Sequence, residues 1–200
     1  MRYPVQVLLS AFFAVTLFAQ SGARQSAPWN EVKADGPLAP LQPAVLTVAR
    51  RQAIENLMRK NAGFGNTWEC PPAEVTALIA HLQFHTIELR AGLDVLLIES
   101  GEGCARGGQG SNGGMWLVRF DGDKPSYLAT PADDFNGWLY SIQPAESHGF
   151  RDIVLGWHMS ASEYGLVYFR FDGKRYRAIG SATATVDDDT DKTTITPNKD

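Results

Sequence analysis

Two of the four histidines, His81 and His85, stand four positions apart in the stretch HLQFHTIE. On a helix this spacing would put both rings on one face, with Glu88 one turn further along. Imidazole and carboxylate groups are common zinc ligands. However, Leu82 occupies the position where the metalloprotease signature H-E-x-x-H has its glutamate. We therefore predict no metal or other cofactor.

A second group of reactive residue types lies in the stretch GWHMSASEYG. It brings Ser160 and Ser162 close in sequence to His158 and Glu163. A serine nucleophile of the hydrolase type sits on a sharp elbow flanked by glycines, G-x-S-x-G, which this stretch lacks. Ser-Ala-Ser is also typical of a turn in which hydroxyls bind the backbone. The pattern favours a turn between two strands.

The two cysteines, Cys70 and Cys104, allow one intramolecular disulfide. The alternative is a nucleophilic Cys104, since Arg106 is close enough in sequence to favour a thiolate. Oxidising compartments favour disulfides, and the N-terminus predicts such a compartment. Arg2, the apolar run Val5–Phe18 and the small residues after it predict a cleaved secretory signal peptide over residues 1–23, in preference to the alternative of a retained membrane anchor.

Composition limits the class of protein. The 200 residues are 44% hydrophobic, enough for one domain with a core, and the formal net charge is −4. A nucleic-acid partner would need a basic face. No segment after the signal peptide is long and apolar enough to span a membrane. We expect a secreted or periplasmic protein with neither a nucleic-acid partner nor a membrane span.

The order of elements predicts an α+β fold that is mainly β. Residues 24–43 are rich in Pro and Ala and predict a flexible linker, and residues 44–60 and 71–84 predict helices. Short β-rich runs bounded by turn residues then continue to residue 180. They predict an antiparallel meander forming a small sheet or sandwich, so that 44–180 is a single domain. The polar, acidic residues 181–200 predict a disordered tail.

The tetrapeptide RFDG occurs twice, at 119–122 and 170–173. Asp-Gly is a favoured pair in two-residue hairpin turns, because both turn residues need positive φ. Alternation pairs Phe120 with Phe171 on one apolar face. We therefore expect two similar hairpins on a common core.

Aromatic side chains and one arginine offer a binding surface. Trp138 and Tyr140 share one face of their strand, and Tyr168 and Arg170 lie on the polar side of theirs. Such residues carry much of the energy of interfaces, and flat rings suit the faces of sugars. Trp116 and Trp157 are expected in the core.

A resemblance is carried by DDFNG (133–137) and SHGFRDIVLG (147–156). These stretches resemble the FG-GAP and VCBS-like repeats of extracellular bacterial proteins, in which an acidic loop leads into a strand. The residues concerned are Asp133, Asp134, Asn136, Asp152 and Gly156. Residues 148–176 are also similar to uncharacterised secreted bacterial proteins. The resemblance implies export and a β fold, and it assigns no chemistry, because the loop lacks the alternating acidic ligands of a calcium site.

The function that we predict is an exported, non-catalytic binding protein of the cell envelope. It would recognise a protein or glycan partner through a β-sheet face. The alternatives are an envelope hydrolase that uses His81, His85 or His158 with a carboxylate, and a structural accessory domain.

Overall fold

The computed structural model describes residues 27–33, 41–64, 70–101, 104–105 and 112–199. The predicted signal peptide and most of the glycine-rich loop, residues 101–114, lie outside these residues. The described chain is mostly β, with two helices and two antiparallel sheets, which confirms the predicted α+β class. The helices are α1 (Val48–Lys60) and α2 (Pro72–Ala80).

Each sheet is a five-stranded meander in which every strand pairs with its neighbours in sequence. The strands of sheet 1 are β1 (Gln42–Pro43), β2 (Leu82–Ile87), β3 (Val95–Ser100), β4 (Met115–Asp121) and β5 (Lys124–Ala129). Those of sheet 2 are β6 (Trp138–Ser147), β7 (Phe150–His158), β8 (Glu163–Phe171), β9 (Tyr176–Asp187) and β10 (Lys192–Pro197). All described pairings are antiparallel. The connection from β1 to β2 contains both helices, and that from β3 to β4 spans residues 101–114.

The two sheets share a core. Leu97 and Leu117 of sheet 1 pack in one cluster with Ile153 and Phe169 of sheet 2. Phe135, in the connection between the sheets, is fully buried there, with its ring 5.1 Å from that of Phe169. Burial of this apolar surface supplies most of the stabilisation.

The outer face of sheet 1 is covered by the helices. Thr47 caps α1 by accepting a hydrogen bond from the Arg50 N–H, and Ile54 and Met58 are the buried residues of that helix. Trp116 packs beneath them and is fully buried, as expected, and its indole N–H donates to the carbonyl of Ala62 at 2.6 Å. The helix begins later than predicted, at Val48.

The disulfide between Cys70 and Cys104 is present, as predicted, with its α-carbons 5.5 Å apart. Cys70 directly precedes Pro71, which is the N-cap of α2, and Cys104 lies in the connection between β3 and β4. The bond therefore links the start of α2 to that connection. Cys104 is therefore not a free thiol.

The outer face of sheet 2 is covered by residues 27–32, part of the stretch predicted to be a flexible linker. Trp29 is 8% exposed and makes an edge-to-face contact with Tyr168, their ring centroids 5.8 Å apart. Ala27 and Val32 are buried in the same cluster. The prediction was wrong for these residues because a tryptophan among prolines and alanines can anchor a segment without any periodicity.

The repeated RFDG stretches both end in hairpins, but the two turns differ. Asp121 pairs with Lys124, so Gly122 and Asp123 form a two-residue turn in which Gly122 has a φ of 60°. Glycine with positive φ at the first turn position is the type II′ pattern. The second turn spans four residues, 172–175, since Phe171 pairs with Tyr176.

The expected common core is also wrong. Phe120 packs under the helices, whereas Phe171 lies between the sheets. The strands that carry them are buried on both faces, and alternation alone does not say which core each face joins.

The predicted disordered tail, residues 181–200, is ordered through most of its length. It forms the second half of β9 and all of β10, paired from Asp187–Lys192 to Ala182–Pro197. Ala182 and Ala184 are buried against the outer cluster of sheet 2. The prediction gave too much weight to the acidic turn and too little to the alternation of small apolar and β-branched residues around it.

Candidate functional site

The structure separates the four residues predicted to form a binding surface. Tyr140 is 3% exposed and Tyr168 is fully buried. Both belong to the cluster beneath the segment of residues 27–32. Only Trp138 and Arg170 are partly exposed. The two tyrosines are therefore not on the surface, because the segment expected to be a linker covers them.

Arg170 is tied to a buried carboxylate. Its Nε donates to Oδ2 of Asp152 at 3.0 Å, and the Asp152 side chain is fully buried. Burial, and next the negative charge of Asp152, raise the pKa of Tyr168 well above its ordinary value. This ion pair links the adjacent strands β7 and β8 and fixes the position of the Arg170 side chain.

His81 and His85 do not lie on one helical face. Helix α2 ends at Ala80, and His85 lies in β2, where its Nε2 is 2.9 Å from a carboxylate oxygen of Glu99 on β3. Among the described residues, no group of three His, Cys, Asp or Glu side chains is placed to hold a metal ion. The helix was predicted four residues too long because its apolar spacing continues into the strand.

The stretch 159–162 forms the turn between β7 and β8, as predicted. The backbone N–H groups of Met159 and Ser160 donate to the carbonyl of Glu163. The ring of His158 faces Tyr164, 6.2 Å between centroids. Within the described chain, no hydrogen bond joins His158 to a serine hydroxyl or a carboxylate.

Aromatic rings collect instead at this end of sheet 2. Trp138 on β6 meets Tyr164 on β8 edge-to-face, with ring centroids 5.7 Å apart at 89°. His158 adds its ring to the same outer face, while Trp157 points to the inner face. We call Trp138, Trp157, His158 and Tyr164 the aromatic end. His158 is exposed and the other three are half-buried.

Two glycines position the tryptophans of the aromatic end. Trp138 pairs with Gly156, and a β-carbon at Gly156 would lie 2.8 Å from indole atoms of Trp138. Trp157 pairs with Gly165, and a β-carbon there would collide with the indole of Trp157. Each indole ring therefore packs on the backbone of a glycine in the neighbouring strand.

Threonines continue the surface beside Trp157. The register aligns Gly165 with Thr183 and Thr183 with Thr196, and the next row aligns Thr185 with Thr194. These four threonines, the threonine platform, share the inner face of sheet 2 but belong to none of its buried clusters. Hydroxyls both donate and accept hydrogen bonds. An apolar ring thus stands next to a polar sheet surface, on which Glu163 is the register partner of Thr185.

The glycine-rich loop is attached to this end of the molecule. The side-chain amide of Asn112 donates to the carbonyl of His158 at 3.1 Å, and the N–H of His158 donates to the amide oxygen of Asn112 at 2.8 Å. Residues 106–111 of the loop lie outside the described residues. Met159, 53% exposed, lies next to the anchored residue.

Sequence reasoning missed two members of the aromatic end. Trp157 was expected in the core, and Tyr164 was not considered. The available signal was Gly156 inside the β-rich run 151–159 and Gly165 directly before the run 166–171. A glycine in a strand often marks a place where another group approaches closely.

Comparisons of the chain with protein-family models, with curated proteins and with solved structures found no match in any of the three. Among the described residues, no helix has the length and apolar character needed to cross a membrane.

Proposed function

We propose that this chain is an exported binding protein that recognises a glycan of the cell envelope through Trp157 of the aromatic end and the threonine platform beside it. Trp157 would stack on the face of a sugar ring, and Thr183 and Thr196 would hydrogen-bond its hydroxyls. The protein needs no catalytic group for this role.

The observation that carries the proposal is the position of Trp157. Its indole lies across Gly165 while the ring keeps part of its surface exposed. Aromatic rings with a few polar groups beside them are typical of ligand sites. The ring is held in place before any ligand arrives, which lowers the entropic cost of binding.

Export is part of the proposal. The N-terminal sequence has the layout of a signal peptide. The Cys70–Cys104 disulfide is consistent with an extracellular or periplasmic protein. Mass spectrometry of the exported protein should find a mature N-terminus near residue 24.

The experiment is capture of the purified mature protein on insoluble peptidoglycan and on chitin. Trp157→Ala should lower capture at least about tenfold, the loss expected for a central aromatic contact. Thr183→Val keeps the side-chain volume and removes the hydroxyl, which also donates to the amide oxygen of Asn198 at 3.2 Å. A smaller loss of capture should follow, with a loss of stability of no more than about 1 kcal/mol. Phe84→Ala removes a half-buried aromatic ring from sheet 1 and should leave capture unchanged.

Equal capture of the wild type and Trp157→Ala would overturn the proposed surface. Failure of both materials to retain the wild type would contradict the glycan assignment.

A further inference from the structure

A cleft lies at the other end of sheet 2, next to the turn between β8 and β9. It has a volume of about 480 Å³ and is bounded by the end of α1, by β5 and by that turn. This volume is within the range of small-molecule sites. Strand β8 runs from Glu163 at the aromatic end to Phe171 at the cleft, so the two sites are separate.

Three cationic side chains line the cleft: Arg119, Lys174 and Arg175. No carboxylate is among the described residues of its lining. The chain as a whole has a formal net charge of −4, so this concentration of positive charge runs against the protein's composition. Local clusters of one sign attract ligands of the opposite sign.

The turn that carries Lys174 and Arg175 is held by Asp172. The carboxylate oxygen Oδ1 accepts hydrogen bonds from the backbone N–H groups of Lys174, at 2.8 Å, and Arg175, at 2.7 Å. Oδ2 accepts from the guanidinium of Arg177 at 3.2 Å. Both cations therefore project from a backbone that is already ordered.

Asp133 lies behind the cleft and is only 5% exposed. It accepts hydrogen bonds from the guanidinium groups of Arg175 and Arg177 and from the hydroxyl of Thr130. These bonds fix Arg175 at the wall. Its Nε is buried and has no hydrogen-bond acceptor among the described residues.

The other side chains that line the cleft are uncharged, and several are polar. The hydroxyl of Ser126 accepts a hydrogen bond from Nε of Arg119 at 3.3 Å, and the hydroxyl of Tyr127 donates to the carbonyl of Asn61 at 2.8 Å. Burial raises the pKa of Tyr127, so the phenol stays neutral and adds no negative charge. Arg119 and Lys174 are exposed, and neither is in an ion pair with another described residue.

We propose that this cleft is a binding site for an anionic group, a carboxylate or a phosphate, on a small molecule or on one residue of a larger ligand. Arginine is suited to such a site because its planar donors match the oxygens of these anions. Lys174 supplies a mobile charge at the rim. The site does not depend on the glycan surface.

The test is titration of the purified mature protein with inorganic phosphate and, separately, with galacturonate, followed by ¹H–¹⁵N NMR at constant ionic strength. The backbone signals of residues 172–175 should shift with saturation. The variant Arg119→Ala/Lys174→Ala should weaken binding at least about tenfold, the cost of losing charge-assisted contacts. The matched control is Lys33→Ala/Lys192→Ala, which removes the same charge from exposed positions elsewhere.

The control variant should bind as the wild type does. A response to phosphate alone would assign a phosphate group, and a response to galacturonate alone a carboxylate. Equal affinity in both double variants, or shifts without saturation, would show a general ionic effect and overturn the proposal. Glycan capture is a separate experiment from this titration. A negative result for one site therefore does not contradict the proposal for the other.

Discussion

The indole of Trp157 lies across Gly165 of the adjacent strand, in the space that any side chain at position 165 would occupy. This relationship joins the strand pairing of sheet 2 to the surface proposed for binding. The glycine leaves room for the ring, and the ring covers the backbone that the glycine exposes.

Gly165→Ala should move the ring of Trp157 and destabilise the protein by about 1–3 kcal/mol, the usual cost of overpacking. It should also weaken glycan capture. Chemical denaturation and tryptophan fluorescence would measure both effects. Gly180→Ala is the comparison, because its nearest neighbour, the β-carbon of Ala27, would be 3.2 Å away and can yield. Equal stability losses in the two variants would contradict the account.

Asp133→Asn should destabilise the fold by about 2–3 kcal/mol. This is less than the cost of breaking a fully buried ion pair, because Arg175 and Arg177 are partly exposed. The substitution leaves both guanidinium groups facing a neutral amide. The control is Asp134→Asn, an exposed position with a φ of 60°, which asparagine tolerates. Urea denaturation would compare the two, and an unchanged midpoint for Asp133→Asn would contradict the role of this carboxylate.

The turn held by Asp172 should weaken in acid. Burial by itself would raise the pKa of this carboxyl, but hydrogen bonds from the N–H groups of Arg175 and Lys174 and from Arg177 lower it below 3.8 overall. A lowered pKa in the folded state means that the ionised form stabilises the fold above about pH 3.8, and that this contribution is lost as the pH falls through the lower, folded-state value.

Thermal unfolding of the wild type and Asp172→Asn should therefore differ at pH 7 and converge near pH 2. A difference that stays constant over this range would contradict the assignment. Asp123→Asn, in the other RFDG turn, removes an equal charge where no such set of hydrogen bonds is present among the described residues.

Loss of the disulfide should destabilise the protein by about 3–4 kcal/mol, from the chain entropy of a loop with a sequence separation of 34. Chemical denaturation of Cys70→Ala/Cys104→Ala, and of the wild type with reductant, should show the same decrease in the denaturation midpoint. Unchanged midpoints in both would show that the bond does not restrain the unfolded chain.

Local patterns in the sequence were enough to predict the helices, the succession of hairpins and the disulfide. The helices over 44–60 and 71–84 follow from apolar spacing, and a single pair of cysteines leaves one bond to form. These features depend on neighbouring residues or on simple counting.

The arrangement of the faces could not be predicted in the same way. Tyr168 alternates with Phe169 and was assigned to a surface, but Trp29 covers it from far away in sequence. The same limit applies to the anionic cleft, since Arg119 and Lys174 come together only when the two sheets pack. Long-range packing decides which alternating residues remain exposed.

The central claim is that glycan binds at the aromatic end, and fluorine NMR of protein labelled with 5-fluorotryptophan tests it most directly. The chain has five tryptophans, of which Trp29 and Trp116 are buried in other clusters and serve as internal references. Addition of soluble peptidoglycan fragments should shift the signal of Trp157, on the inner face of sheet 2, and leave those of Trp29 and Trp116 in place. Saturable shifts of the two reference signals, with Trp157 unmoved, would contradict the account.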